Sequence, residues 1–177
     1  QQTVLKYNAI SVALVKLFDA RMNPIHSEDS RKEKTAQIQQ NILEDLAAVD
    51  SLDEDRILRW YLDLINAMVR TNFYQVDSEG GRKDRVSFKF FAADIPNLPK
   101  PKPMYEIFVY SPRVEAVHLR GGKVARGGLR WSDRMEDFRT EVLGLVKAQM
   151  VKNAVIVPVG SKGGFIVKTK TMADGRE

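Results

Sequence analysis

The sequence predicts an α/β protein in which a helical segment, residues 1–78, precedes a part that contains strands, residues 79–177. No glycine occurs before Gly80, and Pro24 is the only proline in that segment, so little interrupts helix formation there. Beyond the turn-rich stretch SEGGRKD, the apolar residues alternate with polar ones, which is the period of a half-buried strand. The alternating apolar residues are Val86, Phe88 and Phe90.

Three helices are predicted in the helical segment. The first covers about Thr3–Met22, and the second follows Ser27. The third begins at Ser51, because Ser51 and Glu54 have the spacing of a capping box. We expect the third helix to bury an apolar stripe composed of Ile57, Trp60, Tyr61, Leu64 and Met68.

A hairpin and one amphipathic helix are predicted in the second part. The hairpin joins Tyr105–Tyr110 to Val114–Leu119. The helix covers about Arg134–Lys152, with Asp133 in the capping position. A short apolar run, Ala154–Val157, predicts a buried strand after this helix.

Composition excludes several classes of protein. There is no cysteine, and only His26 and His118 are present, so disulfides, thiolate metal sites and histidine metal sites are not expected. No apolar run approaches the ~20 residues of a membrane span, and cytoplasmic localisation fits this composition. The net charge is +5, and the positive excess lies after residue 119. An anionic partner is expected there, either a small carboxylate or phosphate or a nucleic acid.

Three cations lie at or near two glycine-rich segments, which the sequence predicts to be turns. Arg126 precedes Gly127-Gly128, Lys152 ends the amphipathic helix, and Lys162 lies within Gly160–Gly164. Glycines allow close approach to the backbone, so this pattern predicts a site for a small anion. A lysine between glycines can act there as a general acid or base, or as a Schiff-base nucleophile.

The spacing leaves alternatives open for two of these cations. Gln149 and Lys152 are three residues apart, so both side chains can reach one carboxylate. Lys152 can equally be a charge favoured by the helix C-terminus. Arg126 suits bidentate carboxylate binding, although, taken in isolation, a solvated turn residue is the simpler interpretation.

Short motifs exclude one further function, dinucleotide binding, and leave two alternative functions open. The chain contains neither a G-x-G-x-x-G fingerprint nor a P-loop, so no dinucleotide site is expected within it. Arg120 and Arg126 each begin an RGG triplet, and a basic RNA-binding module is therefore the alternative function. A non-catalytic structural domain with an incidental basic loop is the other alternative.

The segment VARGGLRWSDRMEDFRTEVLGLVKAQMVKNAVIVPVGSKGGF resembles the large bacterial NAD-specific glutamate dehydrogenases. The resemblance continues upstream through EIFVYSPRVEAVHLRGG. It implies that this chain is an internal piece of a longer cytoplasmic, homo-oligomeric enzyme that converts L-glutamate to 2-oxoglutarate and ammonium. It also implies that residues 79–177 are the first part of the mixed-sheet substrate domain of an amino-acid-dehydrogenase-like fold. The Rossmann domain that binds NAD would lie downstream.

The same resemblance implies a role for each candidate site residue. Lys162 matches the glycine-flanked catalytic lysine of the family, and Gln149 and Lys152 match the pair that holds the substrate α-carboxylate. Arg126 stands where the small enzymes have a lysine. A dicarboxylate is thus the expected ligand, with no metal, nucleic acid or membrane partner. The isolated chain should be inactive, since the cofactor domain is absent.

Overall fold

A computed structural model describes residues 1–152 and 159–169 of the chain, without the side chains of residues 151 and 152. The chain divides into two compact units, Gln1–Ala67 and Met68–Glu177. We call them the helical unit and the sheet unit. Among the described residues, no helix has the length and apolar character needed to cross a membrane.

The helical unit contains four helices. The predicted first helix is divided at Tyr7, whose φ of −100° and ψ of 59° are not helical. The predicted start after Ser27 is confirmed, and the Ser27 side chain accepts a hydrogen bond from the backbone of Ser30 (3.4 Å). One half of the predicted capping box is confirmed, because Ser51 accepts a hydrogen bond from the Glu54 backbone (3.4 Å). The Glu54 side chain instead accepts from Lys6 and Tyr7. The helices are α1 (Gln2–Lys6), α2 (Asn8–Met22), α3 (Glu28–Leu46) and α4 (Leu52–Ala67).

Side chains from α2, α3 and α4 form the core of the helical unit. The predicted stripe of α4 is wrong, because Ile57, Trp60 and Tyr61 are exposed. A second stripe with the same period, one residue further on, is the buried one and includes Leu58 and Leu62. The buried core residues are Ile10, Leu14, Leu17, Ile42, Leu46, Leu58 and Leu62.

The described part of the sheet unit contains a mixed six-stranded sheet, one α-helix and a short 3-10 helix (Ala92–Asp94), which confirms the α/β class. Its strand order is β1-β2-β3-β4-β6-β5, and every neighbouring pair is antiparallel except β5 with β6. The predicted hairpin is confirmed as β3 and β4. The strands are β1 (Met68–Thr71), β2 (Val86–Phe91), β3 (Tyr105–Tyr110), β4 (Val114–Arg120), β5 (Leu129–Trp131) and β6 (Ser161–Val167).

Two elements differ from the sequence prediction because pairing outweighs local preference. Met68, predicted to belong to the third helix, begins β1 and pairs with Phe90 of β2. The segment Gly160–Gly164, predicted to be a turn, lies mostly in β6. That strand bonds to β4 on one side and to β5 on the other, and this double pairing compensates the low strand preference of glycine.

The amphipathic helix, α5 (Phe138–Lys152), begins four residues later than predicted. The predicted capping residue Asp133 is therefore wrong. Ser132 instead accepts a hydrogen bond from the Arg134 backbone (3.1 Å), and the Arg134 side chain pairs with Asp137, so residues before 138 form a turn. The predicted strand Ala154–Val157 lies outside the described residues.

One face of the sheet packs against α5. Glu106 of β3 is buried beside this helix and forms a bidentate ion pair with Arg139 at 2.6 and 2.7 Å. On the β5 side, Arg130 pairs with Glu141 of the same helix at 3.2 Å. The apolar core between helix and sheet consists of Val117, Leu119, Phe138, Val142, Leu143, Val146 and Ile166.

Candidate functional site

The candidate site lies where the segment before β5 runs beside the start of β6. Arg126 pairs with Gly160 in a parallel bridge, and the Ser161 amide donates to the Arg126 carbonyl at 3.0 Å. Further along, the Gly163 amide donates to the Gly128 carbonyl at 3.1 Å. The parallel pairing therefore extends beyond the three residues of β5 itself.

The face that α5 covers is also the face of Lys162. Lys162 pairs with Leu119, and Leu119 is fully buried in the core beneath α5. Residues paired across neighbouring strands point to the same side of a sheet. The half-buried Lys162 therefore shares the helix-covered face of β6.

Gln149 of α5 reaches the same part of the sheet. Its carboxamide carbon lies 2.3 Å from the position that a Cβ of Gly160 would take, so the amide rests directly on that glycine. Since Gly160 pairs with Arg126, Arg126 also points to this side of the sheet. Arg126, Gln149 and Lys162 thus converge on one face, whereas the side chain of Lys152 lies outside the described residues.

The polar atoms of this cluster are incompletely satisfied within the described part of the chain. The Gln149 Oε1 atom is buried without a hydrogen-bond partner there. None of the ion pairs found among the described residues includes Arg126 or Lys162. Cations without an acidic partner among the described residues suit an anionic ligand, which would neutralise their charges. The Oε1 atom is a hydrogen-bond acceptor, so it suits a donor group on that ligand.

The two adjacent glycines after Arg126 have different surroundings. A Cβ on Gly127 would lie 1.4 Å from the Ser161 carbonyl oxygen, so Gly127 is required for close packing of two backbone segments. A Cβ on Gly128 would meet none of the described residues within 4 Å. Only Gly128 therefore leaves open volume, and it does so beside Lys162 in the register of the two strands.

These surroundings correct the sequence interpretation of the glycines. The prediction was that both glycine-rich segments let a ligand approach the backbone. At Gly127, the close neighbour is instead the protein backbone, and at Gly160 it is the Gln149 side chain. Lys162 is held within a paired strand rather than in a turn, and this fixes the backbone from which its side chain extends.

The ion pairs between α5 and the sheet were missed in the sequence interpretation. A single acidic residue, Glu106, within the apolar strand YEIFVY was the available signal, since a carboxylate in such a strand needs a buried partner. Glu141 is similarly fixed, because it accepts a hydrogen bond from Ser132 at 2.6 Å and pairs with Arg130. Together these contacts fix the start of the helix that bears Gln149.

His118 lies on the opposite face of β4 from the cluster. Its ring carbon Cδ2 is 3.0 Å from the Cβ position of Gly163, and Gly163 alternates with Lys162 along β6. Burial lowers the pKa of His118, and the nearby charge of Arg120 lowers it further. The histidine is therefore a packed residue outside the candidate site.

The RGG triplets belong to the folded sheet. The Gly121 amide, in the first triplet, donates to the Gly160 carbonyl at 3.1 Å, and Arg120 bonds to the Lys123 carbonyl at 2.9 Å. In the second triplet, Gly127 packs on Ser161. Such ordered backbone is unlike the disordered RGG segments that bind RNA.

Comparisons with known proteins match the chain to one family of enzymes. Residues 41–177 match the family described as bacterial NAD-glutamate dehydrogenase, catalytic domain. The NAD-specific glutamate dehydrogenase of Pseudomonas aeruginosa is 61% identical over 171 residues, which are 95% of this chain and 10% of that protein. The corresponding proteins of Halomonas elongata and Mycobacterium tuberculosis are 54% and 51% identical, over 99% and 98% of this chain and 11% of each relative.

The chain thus spans about a tenth of the length of the curated relatives that it matches. The family match covers the whole of the sheet unit and the latter part of the helical unit. It includes every candidate site residue, from Arg126 to Lys162. The chain therefore belongs to the family of bacterial NAD-glutamate dehydrogenases.

Proposed function

We propose that the full-length protein containing this chain is an NAD-dependent glutamate dehydrogenase, which oxidatively deaminates L-glutamate to 2-oxoglutarate and ammonium. The sheet unit would be the first part of its substrate domain, in an amino-acid-dehydrogenase-like fold. The observation on which this rests is the convergence of Arg126, the Gln149 amide and Lys162 on one sheet face beside the open volume at Gly128. The family match supports it.

The cluster has the charge and the hydrogen-bonding groups for a dicarboxylate. Arg126 would bind the distal carboxylate, because its guanidinium is exposed and lacks an acidic partner among the described residues. The Gln149 amide would donate to the α-carboxylate, and Lys152, at the end of the same helix, would supply the compensating charge. This arrangement would leave the substrate α-carbon near Lys162.

Lys162 would carry out the proton transfers. The residue is half-buried and extends from a paired strand, so its ammonium group would hold a proton at a fixed position near the α-amino group. After oxidation of the α-carbon, Lys162 would direct water to the resulting iminium carbon and transfer a proton to the departing ammonia.

NAD would accept the hydride from the α-carbon. The sequence of this chain has no dinucleotide fingerprint, so we assign the cofactor to another part of the protein. We further propose a cytoplasmic homo-oligomer, without a metal ion, nucleic acid or membrane as partner.

Replacement of Lys162 tests the chemistry. In the full-length protein, Lys162→Ala should lower kcat by several orders of magnitude, because the group that moves the proton is lost. Lys147→Ala is the matched control, since Lys147 lies exposed on α5. Rates of NADH formation and circular dichroism would be measured for both variants. A Lys162→Ala enzyme that keeps more than about a tenth of kcat would limit this residue to ~1.4 kcal/mol and contradict the assignment.

Replacement of Arg126 tests the substrate contact. Loss of a charge-assisted hydrogen bond costs about 1.5–3 kcal/mol, so Arg126→Ala should raise the KM for glutamate at least about ten-fold while leaving the KM for NAD nearly unchanged. Lys123→Ala removes an equal charge from the same exposed segment and is the control. An unchanged KM and kcat for glutamate would show that Arg126 is only a strand residue.

A further inference from the structure

Gly160 has an unusual neighbour for a glycine in a sheet. The three atoms nearest to its Cβ position are the Cδ, Oε1 and Nε2 atoms of Gln149, at 2.3, 2.4 and 2.7 Å. All three distances are too short for a real Cβ contact, so a side chain at position 160 and the amide in its present place exclude each other.

The backbone of Gly160 does not itself require glycine. Its φ is outside the positive range in which side chains are strained; Gly80 is the glycine with positive φ among the described residues. An alanine could adopt the same backbone conformation. The obstacle at position 160 is therefore the Gln149 amide and not the local geometry of the chain.

We infer that Gly160 is a positioning residue for substrate binding, because its missing side chain lets the Gln149 amide lie against the strand between Arg126 and Lys162. The inference rests on the proposed function and extends it to a residue that does not itself contact the substrate. The buried Oε1 atom, unpartnered within the described residues, supports it. A buried acceptor that lacks a partner among the described residues can be satisfied by a donor group of the substrate.

The consequence of adding a methyl group differs between Gly160 and Gly127. At Gly127 the obstructing atom is a backbone carbonyl oxygen, which cannot move without disturbing the sheet. At Gly160 the obstructing atoms are the end of a flexible side chain, whose χ angles can turn it away. Gly160→Ala should therefore keep the fold and displace the amide.

A double-mutant cycle in the full-length protein tests the inference. The KM for glutamate would be measured in the wild type, Gly160→Ala, Gln149→Ala and the double variant. We expect Gly160→Ala and Gln149→Ala each to raise this KM about ten-fold or more, with kcat changed by less than about three-fold. Once Gln149 is alanine, no amide remains to be displaced, so Gly160→Ala should have no further effect.

Gly144→Ala is the matched control for the added methyl group. A Cβ at Gly144 of α5 meets no atom within 4 Å in the described part of the chain, and the variant should keep the wild-type KM for glutamate. The KM for NAD should be unchanged in all variants. The inference would be overturned if Gly160→Ala raised the KM for glutamate equally in the wild-type and Gln149→Ala backgrounds. A Gly160→Ala enzyme with the wild-type KM for glutamate would overturn it too.

Two further outcomes separate this inference from the proposed function. If Gln149→Ala leaves the KM for glutamate unchanged, the proposed binding role of Gln149 fails, and the inference fails with it. If Gln149→Ala raises the KM but the two effects add, only the inference fails. If the Gly160→Ala variant does not fold, the double variant should still be as stable as the Gln149→Ala variant, because the amide that obstructs the methyl group is gone. A double variant that also fails to fold overturns the inference.

Discussion

The two units of this chain differ in how their interiors are packed, by large apolar side chains in one and by close contacts at glycines in the other. The helical unit contains no glycine, and all 11 glycines lie in the sheet unit. In the helical unit, apolar side chains from three helices fill the core. In the sheet unit, several close contacts exist because a side chain is missing, such as the contact of Gly127 with Ser161 and that of Gly164 with Val142.

This difference in packing predicts which substitutions each unit tolerates. Removing a large side chain leaves a cavity, and this is the main weakness of the helical core. Adding a methyl group forces two segments apart, and this is the main weakness of the sheet beside the candidate site. The site depends on the second kind of packing, since Gly127 and Gly160 bring the segment of Arg126 and the amide of Gln149 to β6.

The largest effect is expected for Gly127→Ala. The new Cβ would lie 1.4 Å from the Ser161 carbonyl oxygen, so the parallel pairing at this point must open. The cost should exceed about 4 kcal/mol, or about a thousand-fold in the opening equilibrium. Deuterium exchange of the full-length protein would measure it at the Ser161 and Gly163 amides, which donate to carbonyls of the Arg126 segment.

Gly128→Ala is the control for this change. It adds the same methyl group at the next residue, where a Cβ comes within 4 Å of no residue that the structure describes. Protection of the β6 amides should remain that of the wild type. Equal loss of protection in both variants would mean that the contrast between the two glycines is wrong.

A smaller effect is expected for Leu58→Ala in the helical unit. Leu58 is fully buried in the core of α2, α3 and α4, so the cavity should cost about 2–5 kcal/mol. Faster deuterium exchange should be confined to peptides of these helices. Leu52→Ala removes the same atoms from the same helix at a residue that is 81% exposed, and should have little effect. Comparable losses in both variants would contradict the buried stripe.

The sequence was sufficient for elements with strong local signals. Ser27 and Ser51 marked two helix starts, and the alternation of residues 105–119 marked the hairpin. It was insufficient where partners decide the structure. The apolar residues of α4 form two stripes of equal period, so the buried one depends on packing, and β6 is a strand because it pairs with β4 and β5.

The sequence predicted some features of the candidate site and not others. The residue types and glycine flanks identified Arg126, Gln149 and Lys162, and the structure brings these three to one face of the sheet. The separate roles of Gly127, Gly128 and Gly160 were not predictable, because they depend on the register between two strands that lie about 34 residues apart in the chain. The roles of the site residues in catalysis remain predictions.

The smallest effect should be a pH dependence confined to the sheet unit. Burial lowers the pKa of His118 below its ordinary value of about 6.5, so the unfolded state binds the proton more readily than the folded state. Stability contributed by the neutral ring is therefore full above about pH 6.5 and declines as the pH falls through that value. The effect should be modest, because the half-buried ring keeps some contact with water.

Deuterium exchange of β4 and β6 would be compared between the wild type and His118→Gln at about pH 7.5 and 5.5. The ratio of their opening constants should change between these two pH values, whereas peptides of α2, α3 and α4 should keep a constant ratio; a constant ratio in β4 and β6 as well would show that His118 ionises equally in both states.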